Sequence, residues 1–156
     1  SDLLSVRSPR EKPVPIPAAG KDTLYACAGP DSGSYFSASS DAVYYTAGGR
    51  PVKVSGSPTV QVVFMCPSAD GAFAIADGLY RITPSGAQKV QLSEVPGDVE
   101  QIIGTEKKLL LLTKEGKLYS APAEGGELTE EASGIWSIAL KYGKFFSATD
   151  KGIVIK

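Results

Sequence analysis

The sequence predicts an all-β protein built from about four repeats of four antiparallel strands, the last repeat incomplete. Three observations carry this. Gly, Pro and Ser punctuate the chain at short intervals, and the pieces between them are rich in Val, Ile, Tyr and Phe. One strand–turn–strand pattern recurs along the chain at a nearly constant period. Apolar residues at three- and four-residue steps are everywhere interrupted by Gly or Pro, so helix content is expected to be low.

Four segments align: YFSASSDAVYYTAGGRPVKV from Tyr35, AFAIADGLYRITPSGAQKV from Ala72, LLLLTKEGKLYSAPAEGGELTEE from Leu109 and FFSATDKGIVIK from Phe145. Each holds an apolar strand, a small or acidic turn, and a second strand with an apolar pair: Val43-Tyr44, Leu79-Tyr80, Leu118-Tyr119 and Ile153-Val154, spaced 36, 39 and 35 residues apart. A further β-rich stretch precedes each segment, giving strand A over 23–28, 59–66, 99–104 and 135–140. Strand B is the Phe or Leu run and strand C carries the pair. Strand D falls at 51–55, 87–92 and 127–131 and becomes polar, as suits an outer edge exposed to water.

The turns recur in register. Asp77-Gly78, Glu115-Gly116 and Lys151-Gly152 stand between strands B and C, where a tight hairpin wants a residue tolerant of positive φ. Gly48-Gly49, Pro84-Ser85-Gly86 and Gly125-Gly126 stand between C and D. The units therefore run over 23–56, 59–92, 99–131 and 135–156, and the fourth stops after its strand C.

Residues 1–22 form an extended N-terminal segment without an apolar signal-type core. Pro13, Pro15 and Pro17 alternate, so their missing donors would fall on one side of a strand while Val14 and Ile16 keep theirs on the other. That suits an edge strand closing the fourth unit, or equally a polyproline linker.

These repeats resemble β-propeller blades, whose four strands run from the centre outward, over residues 23–156. The resemblance is to the superfamily. Tryptophan-aspartate repeats end strand C in that dipeptide, where this chain has Tyr44-Tyr45, Tyr80-Arg81 and Tyr119-Ser120. Kelch repeats end strand B in a double glycine, where it has Ser39-Ser40, Ala76-Asp77 and Thr113-Lys114. The pattern of the regulator of chromosome condensation repeats is absent as well. Four blades imply a small closed propeller, part of a larger one, or blades completed by a second chain, the last two being the expectation.

Sixteen basic and seventeen acidic residues leave a formal charge of -1 without a long run of either sign, so neither nucleic acid nor an anionic membrane is an expected partner. The longest apolar runs are strand length. The chain has no His, which removes the commonest general base, the Ser-His and Cys-His pairs and the usual ligands of catalytic zinc. Cys27 and Cys66 stand at equivalent strand A positions and read as buried free thiols in a reducing, intracellular compartment rather than a two-thiolate metal site. Asp41, Asp77, Glu115 and Asp150 recur at the turns between strands B and C and read as turn residues rather than as catalytic or calcium-binding carboxylates. No phosphate-cradling glycine loop occurs. No catalytic residue, metal or cofactor is expected.

Trp136, the sole tryptophan, reads as a packing element between blades or an anchor for a ligand. Tyr80 and Arg81 combine an aromatic ring and a cation as protein interfaces do, although Arg81 also suits a solvated blade face. These three are the candidate binding residues. The function expected is a non-catalytic protein–protein interaction scaffold within a larger assembly. The alternatives are a carbohydrate-binding propeller, whose repeats would share aromatic residues where Trp136 has Leu24, Val60 and Glu100 as counterparts, or a fragment of a larger propeller enzyme.

Overall fold

A computed structural model describes residues 3–5, 14–16 and 23–155. Every regular element among them is a β-strand. The chain divides into two compact units, Ser1–Lys89 and Val90–Lys156.

In the first unit, β1 (Leu3–Ser5) pairs antiparallel with β2 (Val14–Ile16), Leu4 opposite Pro15. The stretch read either as a closing strand for the fourth blade or as a linker thus pairs, at Val14–Ile16, with Leu3–Ser5. Blade 1 is a meander of β3 (Tyr25–Ala28), β4 (Ser34–Ala38), β5 (Val43–Ala47) and β6 (Val52–Lys53). Blade 2 follows with β7 (Phe64–Pro67), β8 (Ala72–Ile75), β9 (Leu79–Thr83) and β10 (Gly86–Leu92). The register Cys27↔Phe36↔Tyr45 puts three side chains on one face of blade 1, and Phe36 packs with Ala38, Val43 and Val54 against Met65, Ala72, Ala74 and Ile82 of blade 2. Strand β8 is buried along its whole length, which is why its sequence reads as an apolar run and not as an alternation.

In the second unit, blade 3 consists of β11 (Val99–Gly104), β12 (Lys108–Thr113), β13 (Leu118–Pro122) and β15 (Thr129–Ala132), with the two-residue β14 (Gly125–Gly126) in the turn before β15. Blade 4 has three strands, β16 (Ile135–Lys141), β17 (Lys144–Thr149) and β18 (Gly152–Ile155). Leu110, Leu112 and Leu118 of blade 3 pack against Ile135 and Ile138 of blade 4, with Phe145 beside them. The Gln101 side chain stitches the inner strands together, its Oε1 accepting from the Ile138 amide at 2.8 Å and from the Ser137 hydroxyl at 3.3 Å.

A second device joins blades at their rims. Ser55, just past β6, accepts from the Ala87 amide at 2.8 Å, so the end of one outer strand meets the turn that opens the next blade's outer strand. The contact recurs where Gln91 and Leu92 pair in parallel with Gly125 and Gly126, and the Ser93 amide donates to the Gly126 carbonyl. Gly125 sits at φ +110, and a Cβ there would lie 2.4 Å from the Gln91 carbonyl oxygen, so both its dihedral and its bareness are required.

Three strand expectations change. The stretch 59–63 is not strand, since it touches the sheet through the bond from the Val63 amide to the Ile75 carbonyl before β7 begins. Strand D of blade 1 is only Val52–Lys53, and that of blade 3 starts at Thr129. Gly116 and Gly152 adopt the positive φ expected of them, but Gly78 does not. A Cβ there would fall 2.5 Å from Cε of Lys89, the far end of a flexible side chain that can move aside.

Candidate functional site

The candidate residues divide between the two units. In the first, Tyr80 and Arg81 are neighbours on β9 and therefore point to opposite faces. Tyr80 turns into the interblade core, and its hydroxyl donates to Asp77 Oδ1 at 2.9 Å. Asp77 also accepts from Lys89 Nζ at 2.8 Å, and the same ammonium lies 5.8 Å from the Tyr80 ring centre. The Lys89 and Tyr80 hydrogen bonds hold the Asp77 carboxyl below the usual range; the Asp77 bond raises Lys89; burial, then the Asp77 bond, raises Tyr80. This triad ties the turn between β8 and β9 to β10. It accounts for Asp77 as turn chemistry, and Tyr80 is part of the core instead of an interface.

Arg81 reaches Asp70 at 3.5 Å and lines a cavity of about 390 Å³ with Ser55, Thr83, Ser85 and Gln88 beside the rim contact. Asp41 has the same local duty as Asp77, accepting from the Ser39 hydroxyl at 2.7 Å.

The cysteines are not joined in a disulfide, and both are half-buried where their apolar strand context suggested full burial. Burial, with a smaller contribution from Cys66, pushes the Cys27 thiol up to about 12, so it stays protonated. No cluster of three or more metal-ligating side chains occurs among the described residues.

In the second unit, Trp136 lies on β16 at a register shift between Ile135 and Ser137. The shift lets Ile135 and Ile138 both turn into the core and leaves Trp136 outside, 66% exposed. It is not packed between blades. Its blade exposes much apolar surface: Trp136, Leu140, Tyr142, Ile153, Val154 and Ile155 make six of the eleven exposed large hydrophobic side chains among the described residues, on both faces of the sheet. Only Trp136 of these was singled out from the sequence.

The last blade explains the others. Strand β12 of blade 3 is almost wholly buried, whereas β17, its counterpart, is half-buried at best and β18 is exposed at every residue. The outer edge of β18 has no strand partner among the described residues, and from Gly152 to Ile155 it carries no charge. Behind it, Leu110, Leu118, Ile138, Phe145 and Val154 surround a cavity of about 250 Å³ between blades 3 and 4.

The computationally designed Ika4 protein superimposes on this chain with a TM-score of 0.60 at 9% identity, covering 90% of this chain and 94% of the designed one. Human WBSCR16 matches at a TM-score of 0.50 and 14% identity over 94% of this chain and 56% of its own. The blades are those of a β-propeller. The N-terminal domain of Nup159 matches at a TM-score of 0.48 and 16% identity, over 90% of this chain and 44% of that one. The chain thus spans about half the length of these last two. No family model and no curated protein matches it in sequence.

Proposed function

We propose that this propeller is a non-catalytic, intracellular protein-interaction module and that it docks its partner on the open side of blade 4. One observation carries the reading: six of the eleven exposed large hydrophobic side chains among the described residues lie on blade 4. Uncovered sheet edges are ordinarily short, charged or capped, because they recruit other chains. β18 is itself short and flanked by Lys151, so the reading rests on the exposed apolar side chains of its blade, of the kind found at protein interfaces.

Replacing Ile153 and Ile155 together by Lys tests this. The two side chains are 72% and 57% exposed, so the fold loses little from the change. Covering them on docking contributes about 2–4 kcal/mol at the usual value of a buried Ile, or roughly 30- to 700-fold in affinity. Affinity purification from the native cells should recover a reproducible protein partner with the wild-type chain and lose it with the doubly substituted one, at unchanged circular dichroism. Equal recovery with both chains would place the partner elsewhere, and recovery of glycans alone would sink the protein-binding reading.

A further inference from the structure

Arg81 is the candidate binding residue that docking at blade 4 leaves unexplained. The registers Phe36↔Tyr45, Phe73↔Arg81 and Leu110↔Ser120 place it where blades 1 and 3 carry a tyrosine and a serine, so the cation is particular to blade 2. Among the described residues its guanidinium has one carboxylate at ion-pair distance, Asp70 at 3.5 Å, and the side chain is 31% exposed, within reach of a ligand. Its Nε, by contrast, is buried and has no hydrogen-bond partner among those residues. A buried donor on a charged group is costly to leave unmade, so this nitrogen calls for an acceptor. The Ser57 hydroxyl, next to Gly56 of the same cavity wall, is likewise buried without a partner.

The cavity of about 390 Å³ that Arg81 lines is walled by Ser55, Thr83, Ser85 and Gln88, with no carboxylate among its lining residues. Its size falls in the roughly 300–1,000 Å³ range of small-molecule sites, but its wall is polar where theirs is mostly apolar, so it suits a strongly hydrated ligand. Thr83 gives its proton to the Gly86 carbonyl at 3.1 Å and lies 3.0 Å from the Ser85 hydroxyl. With that proton committed, the Thr83 oxygen offers lone pairs, which match the hydroxyl donors of a ligand, and the Gln88 amide offers both a donor and an acceptor. The wall is held in place by the bond from the Ala87 amide to the Ser55 carbonyl. One part of the cavity therefore offers a cation and the rest offers partners for hydroxyls.

We infer that this cavity binds a small polyhydroxylated oxyanion, of the class of sugar acids and sugar phosphates. The anionic group pairs with Arg81, whose planar fork matches carboxylate and phosphate alike. The hydroxyls of the ligand meet Thr83, Ser85 and Gln88. Every lining residue belongs to the first unit, so the site stands or falls independently of docking at blade 4.

The probes are gluconate, glucose-6-phosphate, glucose and inorganic phosphate, each titrated into the full chain at low salt by isothermal calorimetry. Gluconate, glucose-6-phosphate or both should bind, and whichever binds identifies the anionic group. Glucose and inorganic phosphate each carry half of the recognised chemistry and should bind about tenfold more weakly or worse, the loss of one hydrogen bond to a charged group. Arg81→Lys keeps the charge but loses the fork and Nε, and should weaken the bound anion by about tenfold. Ser85→Ala, at an exposed turn position, should weaken it to a lesser degree at an unchanged unfolding midpoint, which keeps the test decisive should the Arg81 variant fail to fold. Asp70→Asn removes the carboxylate that competes for the guanidinium and should tighten binding. Glucose binding as tightly as the anions would overturn the part given to Arg81, and inorganic phosphate binding as tightly as the sugar anions would overturn the part given to the hydroxyls. Binding of no probe, or binding that survives both Arg81→Lys and Ser85→Ala unchanged, overturns the site.

Discussion

Gly71 joins β7 to β8 with an ordinary φ, so an alanine there suffers no backbone penalty, only a steric one. Its Cβ would fall 1.8 Å from the Ile82 carbonyl oxygen and 3.0 Å from Thr83 Cα. Normal contact requires the two to part by about 1.5 Å, given carbon contact distances near 3.5 Å. No flexible side chain is there to yield. The obstacle is the backbone of β9, held by Ala72↔Ile82, and both of those side chains are fully buried. Moving that backbone costs the ladder bond, about 1 kcal/mol, and disturbs packing worth about 1–3 kcal/mol. Gly71→Ala should therefore destabilise by roughly 2–4 kcal/mol, a large share of a typical total stability near 5–15. Urea denaturation of Gly71→Ala beside Gly49→Ala is the assay. Gly49 also has an ordinary φ but open space around its Cβ position, so its alanine should be neutral or stabilising by up to about 1 kcal/mol. Equal midpoints for the two variants would refute the register assigned between β8 and β9.

Cys27, with its thiol near 12 against an ordinary 9.0, should have a thiolate population about a thousandfold below that of an exposed cysteine at pH 8. Its alkylation by iodoacetamide should be correspondingly slow until denaturant is added; rapid modification of the native protein would contradict its burial. The same shift means that the native state holds this proton more tightly than the unfolded chain, so stability should fall as pH rises from about 9 toward 12. Lys89→Ala should let the Asp77 carboxyl titrate nearer its ordinary range, read by carbon-13 NMR. The pair's contribution has opposite acid and base limits: the Asp77 part is lost as pH falls through its lowered value, and the Lys89 part as pH rises through its raised one. Gln101→Ala leaves the Ile138 amide without its acceptor and should cost about 1–3 kcal/mol in thermal unfolding; an unchanged midpoint would mean that water replaces the side chain without loss.

The repeat was legible because it is written in burial. A strand B buried along its length demands apolar residues in a row, and Ala72–Ile75 and the leucines 109–112 supply them. Turn glycines were legible for a different reason, since Gly116 and Gly152 answer a backbone need that few other residues meet. What stayed hidden depends on a neighbour's position. Gly78 looks like its counterparts in the sequence, yet its φ is not positive as theirs is. Tyr80 and Arg81 read as a surface pair because adjacency in sequence conceals that a strand separates them onto opposite faces. Trp136 depended on the register shift at Ile135, an extra residue that exchanges inside for outside and has no compositional signal.

Blade 4 sharpens the same logic. A sheet face meant for water alternates polar residues with apolar ones, yet Phe146 stands opposite Ile155 and Ala148 opposite Ile153, so the uncovered face is apolar on both strands. Those side chains follow the pattern of blade 3, where the corresponding Leu110 and Leu112 are buried by the blade that comes next. Among the described residues nothing covers that face of blade 4, and with one sheet edge unpaired its amides should be among the least protected of the second unit. Anything that binds the folded blade and not the unfolded one stabilises it by mass action, about 2.7 kcal/mol at a ligand concentration a hundredfold above Kd. Hydrogen exchange should then show β18 and β17 gaining protection together when the protein partner is present, while β12, already enclosed, changes little. Protection confined to β12, or spread evenly over both units, would mean that the partner docks somewhere other than blade 4.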